Sequence, residues 1–171
     1  MGRRLDCKIA FGAPAEKIYQ DFASREYWET LMDSYRWITP HSEIRKFRSD
    51  ADGIEVVFRQ NLPRMYLPAI AQAVVPVDMI VTRVQHFAPY DHTRNAAQGT
   101  YGASIPAGPG HFGGTYFLTE TDSGSEARLA STCKVRIPLI GGKLEELILH
   151  HIKELFVAEE AFMADWIAKH R

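Results

Sequence analysis

Little in this chain is extreme, and its scarcities narrow the field first. It has two cysteines, Cys7 and Cys133, too few for a disulfide framework or a thiolate-dominated zinc site. A surplus of one charge is missing: 20 basic residues face 21 acidic ones, for a formal net charge of −1. No broad field therefore draws the protein to nucleic acid or to anionic lipid. No window approaches the roughly 18 apolar residues of a membrane span, so no stable membrane insertion by a helix is expected. Arg3-Arg4 is followed by Leu5-Asp6-Cys7-Lys8-Ile9 rather than an apolar export segment, and Asp6 stands where N-myristoylation requires Ser or Thr. The cytoplasm is the expected compartment. Internal repeats, low-complexity tracts and linkers rich in Pro, Gly or Ser are also lacking, so residues 1–171 are expected to form one domain.

Reaction-bearing motifs are scarce too. There is no Gly-x-Ser-x-Gly, no phosphate loop and no His-Glu-x-x-His. Gly108-x-Gly110-x-x-Gly113 spells a dinucleotide fingerprint. It falls between two expected antiparallel strands, however, with no helix behind it to present an N-terminus to a phosphate. No cofactor is expected. The pairs Glu146/His150 and His150/Glu154 have metal-ligand spacing but lie on the polar side of a helix, so no metal is expected either.

What is present is an ordinary globular composition, 46% hydrophobic and 24% charged, with a clear order of periodicities. Leu5 to Phe11 is a short β-prone segment ending at Gly12. Pro14 opens a helical stretch with Ile18, Tyr19 and Phe22 on one stripe. Ser24 is placed to cap a second short helix carrying Tyr27, Trp28, Leu31 and Met32. The period then changes to two. Strands are expected over 43–48, 54–62, 77–87, 94–105, 114–121 and 126–137, with Asp50-Ala51-Asp52-Gly53 as a hairpin turn. The piece from Pro63 to Pro76 holds an irregular helical turn. From Lys143 the period returns to 3.6, and Leu144, Leu147, Ile148, Ile152, Leu155, Phe156, Phe162, Met163, Trp166 and Ile167 fill one broad arc. Such a face must lie in a large concave surface.

Strand, two short helices, about six strands and one long terminal helix is the helix-grip order, an α+β arrangement in which a curved antiparallel sheet wraps a long C-terminal helix. The chain resembles the START-like superfamily (birch-pollen-allergen and polyketide-cyclase fold, SRPBCC). Within it the chain is similar to a bacterial domain-of-unknown-function family. The carrying residues are the run from Lys134-Val135-Arg136-Ile137-Pro138 through Leu139-Ile140-Gly141-Gly142-Lys143-Leu144-Glu145, then Glu160, Phe162 and Trp166-Ile167, with the pairs Leu62-Pro63 and Leu67-Pro68. The resemblance implies a cavity between sheet and helix that holds an apolar small molecule. The residues are compatible with one: Ala96, Ala97, Gly99, Gly102, Ala103, Gly113 and Gly114 let a sheet curl and cannot fill the space beneath it. Pro106-Ala107-Gly108-Pro109-Gly110 is expected at its rim.

Glu159 lies near the middle of the apolar arc, where a carboxylate is desolvated unless a cation meets it. It either orients a polar ligand group, acts as a general acid or base, or pairs with a strand arginine as a structural ion pair. Arg83, Gln85, Tyr101 and Tyr116 are the further candidate polar contacts, with Arg59 or Gln60 as possible additions. Phe58, Leu155, Phe162 and Met163 are the candidate apolar walls. His151 borders the arc, and Trp28, Tyr35 and Trp37 are expected in the core. Cys7 and Cys133 would lie on adjacent strands of such a sheet, where a disulfide is geometrically open but reduced thiols suit the cytoplasm. The leading expectation is a non-enzymatic binder of a lipid, isoprenoid or polyketide-like compound. The alternatives are a cyclase, aromatase or dehydratase using Glu159, His151 or a tyrosine, and an interaction module for a protein partner.

Overall fold

The computed structural model describes residues 3–35, 41–66, 69–73, 77–104 and 110–170, with the side chains at 62, 66, 71, 79 and 151 outside that description. The expected rim at 106–109 and Trp37 also lie outside the described residues. Segments of period two form seven strands: β1 Arg3–Phe11, β2 Glu43–Asp50, β3 Gly53–Leu62, β4 Met79–Phe87, β5 Ala96–Ser104, β6 Gly110–Thr121 and β7 Gly124–Val135. They form one sheet in the order β1-β7-β6-β5-β4-β3-β2, antiparallel at every pairing. The helices α1 Ala15–Phe22 and α2 Arg25–Ser34 join the two edge strands. A 3-10 turn over Arg64–Tyr66 and the short α3 Ala69–Gln72 precede β4, and α4 Gly141–Lys169 ends the order. This is the α+β helix-grip fold that the periodicities predict.

Local chemistry sets the turns. At the β2–β3 hairpin the Asp50 carboxylate accepts the backbone N–H of Asp52 at 2.9 Å. Gly53 has φ +114°, and a Cβ there would stand 2.1 Å from the Phe87 carbonyl oxygen, so only glycine fits. Ser24 occupies the N-cap position of α2 in extended conformation, but its side chain makes no cap hydrogen bond, which departs from the expected capping.

The inner sheet face carries the core, with Ile54, Val56, Phe58, Phe87, Tyr101, Tyr116, Leu118, Ala127, Leu129, Ser131 and Cys133 all buried. Arg83, Gln85 and Phe87 share that face of β4, whereas Ile80 and Val84 are exposed on the other. Two covers lie over it: α4 packs on β1 and β7, and α1 packs on β5, β6 and β7 with α2 beside it against β2. Because α4 rests along one flank, Leu147, Ile148, Ile152 and Leu155 are only half-buried, while Leu149, outside the expected arc, is buried.

The start of α4 is clamped by a residue outside the expected apolar arc. Glu145 is buried, its Oε2 accepts the Val135 N–H at 2.8 Å, and Arg3 Nε lies 4.0 Å from its Oε1. Arg3 Nε also donates to the Gly142 carbonyl at 2.9 Å.

The register overturns the geometric opening for a disulfide. Cys133 pairs with Arg3 and Cys7 with Leu129, so the cysteines are offset by four residues, about 13 Å of strand. That is far beyond disulfide reach, and both are free. Burial, with the Glu145 charge adding, pushes the Cys133 thiol up to about 11. In a thiol titration at about pH 8 Cys133 should stay unreactive in the native protein and both thiols should count after denaturation. A Cys7–Cys133 disulfide in air-oxidised native protein would contradict this register.

Candidate functional site

The interior polar groups gather where α2, α4 and β4 meet. Tyr35, just past the end of α2, donates its hydroxyl to Glu159 Oε1 at 2.9 Å. Arg83 Nη2 donates to the same oxygen at 3.4 Å, long for a charge-assisted bond. The two charged side chains are 12% and 18% exposed. The Arg83 guanidinium stands 4.6 Å from the centroid of the Phe58 ring, and Phe58 is fully buried. Of the three roles open to Glu159 from the sequence, the ion pair with a strand arginine is the one this geometry displays. The pair does not exhaust the arginine, because among the described residues buried Arg83 Nη1 meets no hydrogen-bond partner.

Glu159 also borders a void. A cavity of about 30 Å³ lies between sheet and helices, lined among others by Gln85, Tyr116, Phe156, Glu159, Glu160 and Met163. That volume takes one or two waters; pockets for drug-sized ligands begin at roughly 300 Å³. The cavity expected beneath the small residues of β5 and β6 is present but small, and the reason is visible at two glycines. A Cβ at Gly114 would stand 2.7 Å from the Tyr101 hydroxyl, and one at Gly99 would stand 2.7 Å from Phe87 Cδ1. Rings from neighbouring strands lie over these glycines and take the space that missing side chains leave. Phe22 of α1 supplies the rest, with its ring centroid 5.0 Å from Phe87 and 5.9 Å from Tyr116.

The predicted residues therefore divide. Glu159, Gln85, Tyr116 and Met163 line the cavity. Arg83 and Phe58 join through the ion pair and the cation–π contact. Tyr101 bonds Ser131 Oγ at 2.6 Å, and Phe162 packs on Tyr27 and Trp166. Leu155 is half-buried and away from the cavity. Gln60 shares the inner face with Phe58, while Arg59 takes the other. His150 is exposed and 3.1 Å from Glu154, and among the described residues no cluster of three metal-ligating side chains occurs. Sequence reasoning placed Trp28 and Tyr35 in the core without a polar role for Tyr35, and it missed Tyr27 and Glu160 as cavity walls. For Tyr35 the available signal was its position, at the point where helical period gives way to strand.

Burial raises the phenols of Tyr27, Tyr35 and Tyr116 well above the ordinary range, with the Glu159 charge the next cause in each case. These side chains are neutral hydrogen-bonding groups rather than bases. Burial likewise pushes Tyr101 up to about 12.

The same shifts fix an alkaline limit. At pH values above an ordinary phenol's pKa of about 10 the unfolded chain releases protons that the native state retains, so stability falls as pH rises. Melting temperature should drop from about pH 9.5 upward, and absorbance at about 295 nm should show these tyrosines ionising only with unfolding. Their ionisation in the folded protein near pH 10 would contradict the geometry. Glu159→Leu, which strands the Arg83 charge, should destabilise by about 3 kcal/mol in urea titration. Tyr35→Phe should cost about 1 kcal/mol.

Comparison with known proteins places this geometry in context. The family described as "Protein of unknown function (DUF2505)" matches residues 6–167. The chain is 29% identical over 172 aligned residues to "Uncharacterized protein Rv0481c" of Mycobacterium tuberculosis (strain H37Rv), covering 98% of each chain. Among solved structures it is similar to norcoclaurine synthase from Thalictrum flavum in complex with dopamine and hydroxybenzaldehyde. That likeness has a TM-score of 0.60 and 11% identity, over 100% of this chain and 89% of that one. It is also similar to the Zhui aromatase/cyclase from Streptomyces sp. R1128, with a TM-score of 0.50 and 16% identity over 96% and 93% of the two chains. At these identities the structural likeness establishes the START-like fold.

Proposed function

The chain belongs to the DUF2505 family within the START-like fold, and from that premise we propose that it binds an apolar small molecule between sheet and helices, without transforming it, in the cytoplasm. The observation that carries this reading is the polar cluster of Tyr35, Glu159 and Arg83, whose member Glu159 lines a void walled largely by aromatic and aliphatic side chains. A core selected for stability alone gains little from a buried ion pair, since apolar residues of similar volume serve as well or better. A ligand site needs just such a sparse set of polar groups among apolar walls. The norcoclaurine synthase neighbour, solved with dopamine and hydroxybenzaldehyde, supports the small-molecule part of the reading by analogy of fold. Two unpaired cysteines are in keeping with a reducing compartment.

The small volume of the cavity defines the mechanism of uptake. Only a water or two fits at present, so the two covers must part before a ligand enters. Among the described residues the two covers meet through Tyr35 to Glu159 and the rings of Tyr27 against Phe162 and Trp166. Apolar walls then supply the driving force and the polar cluster sets orientation.

Native and denaturing mass spectra of freshly purified protein test this directly. The expected result is a small mass that is lost on unfolding, together with enhanced emission of the neutral dye Nile red that Met163→Leu changes without unfolding the protein. A bare mass in both spectra, with no Nile red response, would sink the reading and turn attention to a protein partner.

A further inference from the structure

The loop from β7 into α4 carries a residue that neither backbone conformation nor packing selects. Leu139 has φ +71°, in the left-handed region that crowds the Cβ of an L residue. Among the described residues the one other non-glycine residue with positive φ is Asn95, a type that tolerates it. Leu139 is also fully exposed, with Pro138 exposed before it. Glycine or asparagine would suit both the backbone and the water. The turn beneath the tip is fixed by its own backbone: Ile140 N–H donates to the Pro138 carbonyl and Gly141 N–H to the Ile137 carbonyl, each at 2.9 Å. A strained apolar side chain held out from a fixed base points to a role outside folding.

The charges flanking the tip supply the second observation. From 127 to 144 the chain has no acidic residue, but it has Arg128, Lys134, Arg136 and Lys143. Arg128 is taken by Glu126 at 2.9 Å. Lys134, Arg136 and Lys143 form no ion pair among the described residues. Arg3 reaches the same loop through the Gly142 carbonyl, its charge set against buried Glu145, and Glu146 is the nearest exposed acid along the chain. A chain of balanced overall charge thus holds a local cationic excess around an apolar tip. We infer that this end of the molecule docks on an anionic lipid bilayer, with Leu139 entering the headgroup–acyl boundary and Lys134, Arg136 and Lys143 meeting lipid phosphates. A protein interface needs roughly 1,000 Å² of matched surface, far more than one leucine and one proline offer, whereas a bilayer requires no shape match. No described helix is long and apolar enough to cross a membrane, so the contact is peripheral and reversible. This role goes beyond the binding reading and does not depend on it.

Flotation of the full-length protein with vesicles tests this, using phosphatidylcholine alone or with about 30% phosphatidylglycerol to supply the negative surface. The wild type should partition about tenfold or more strongly onto the anionic vesicles, and about 0.5 M salt should remove the difference. Leu139→Asn should bind them about tenfold more weakly yet melt no lower than the wild type, because asparagine suits the left-handed backbone. The double variant Arg136→Gln/Lys143→Gln should lose about twenty-fivefold, about fivefold for each cation. Leu139→Trp should keep binding, and its emission should shift to shorter wavelength with the anionic vesicles only. Equal partition onto both kinds of vesicle, or anionic binding that neither Leu139→Asn nor the double variant weakens, overturns the inference. Absence of vesicle binding overturns it as well; a dimer in solution that Leu139→Asn dissolves would then name a second copy of the chain as the occupant.

Discussion

A seven-stranded antiparallel sheet with one apolar face must cover that face, and here no single helix does so. The long α4 lies along the β1–β7 flank, clamped at its start by Glu145 and Arg3. The rest of the concave face is covered by α1 and α2, which the chain lays down between the two edge strands. Everything notable about the interior follows from this divided cover. The two parts meet along a seam, and both the aromatic contacts of Tyr27 with Phe162 and Trp166 and the polar contact of Tyr35 with Glu159 lie on it.

A seam between separately held elements is a natural route into a protein interior, because it can open without breaking strand pairing. The polar cluster gives that route a chemical identity. Its carboxylate is held by two donors, its guanidinium is stacked on Phe58 and its remaining donor is unmet. Hydrophobic packing accounts for the stability of such a core; in the proposed binding role the cluster adds direction.

The sequence made the architecture legible because the period changes sharply twice, after Tyr35 and again at Lys143. It also marked Glu159, since one carboxylate in the middle of an apolar arc stands out. The state of the cavity was not legible. Gly99 and Gly114 indicate where side chains are absent, but they do not reveal that Phe87 and Tyr101 lie over them. Composition cannot set strand register either, and a four-residue offset separates Cys7 from Cys133. Glu145 was named only as part of the resemblance, not for its role: it accepts a backbone N–H at the end of β7, a contact that side-chain periodicity does not encode. Arg83 could be named but not oriented, because Ile80 and Val84 compete with it for the inner face in an alternating pattern.

The claim at the centre of this account is that the Arg83–Glu159 pair serves ligand recognition rather than folding. The most direct measurement is the stability and ligand retention of the double variant Arg83→Met/Glu159→Leu, by urea titration and native mass spectrometry. The expected result is a protein at least as stable as the parent, since apolar groups of similar volume replace a buried ion pair, that no longer retains the small molecule. A double variant several kcal/mol less stable, or one that still carries the ligand, would contradict the claim.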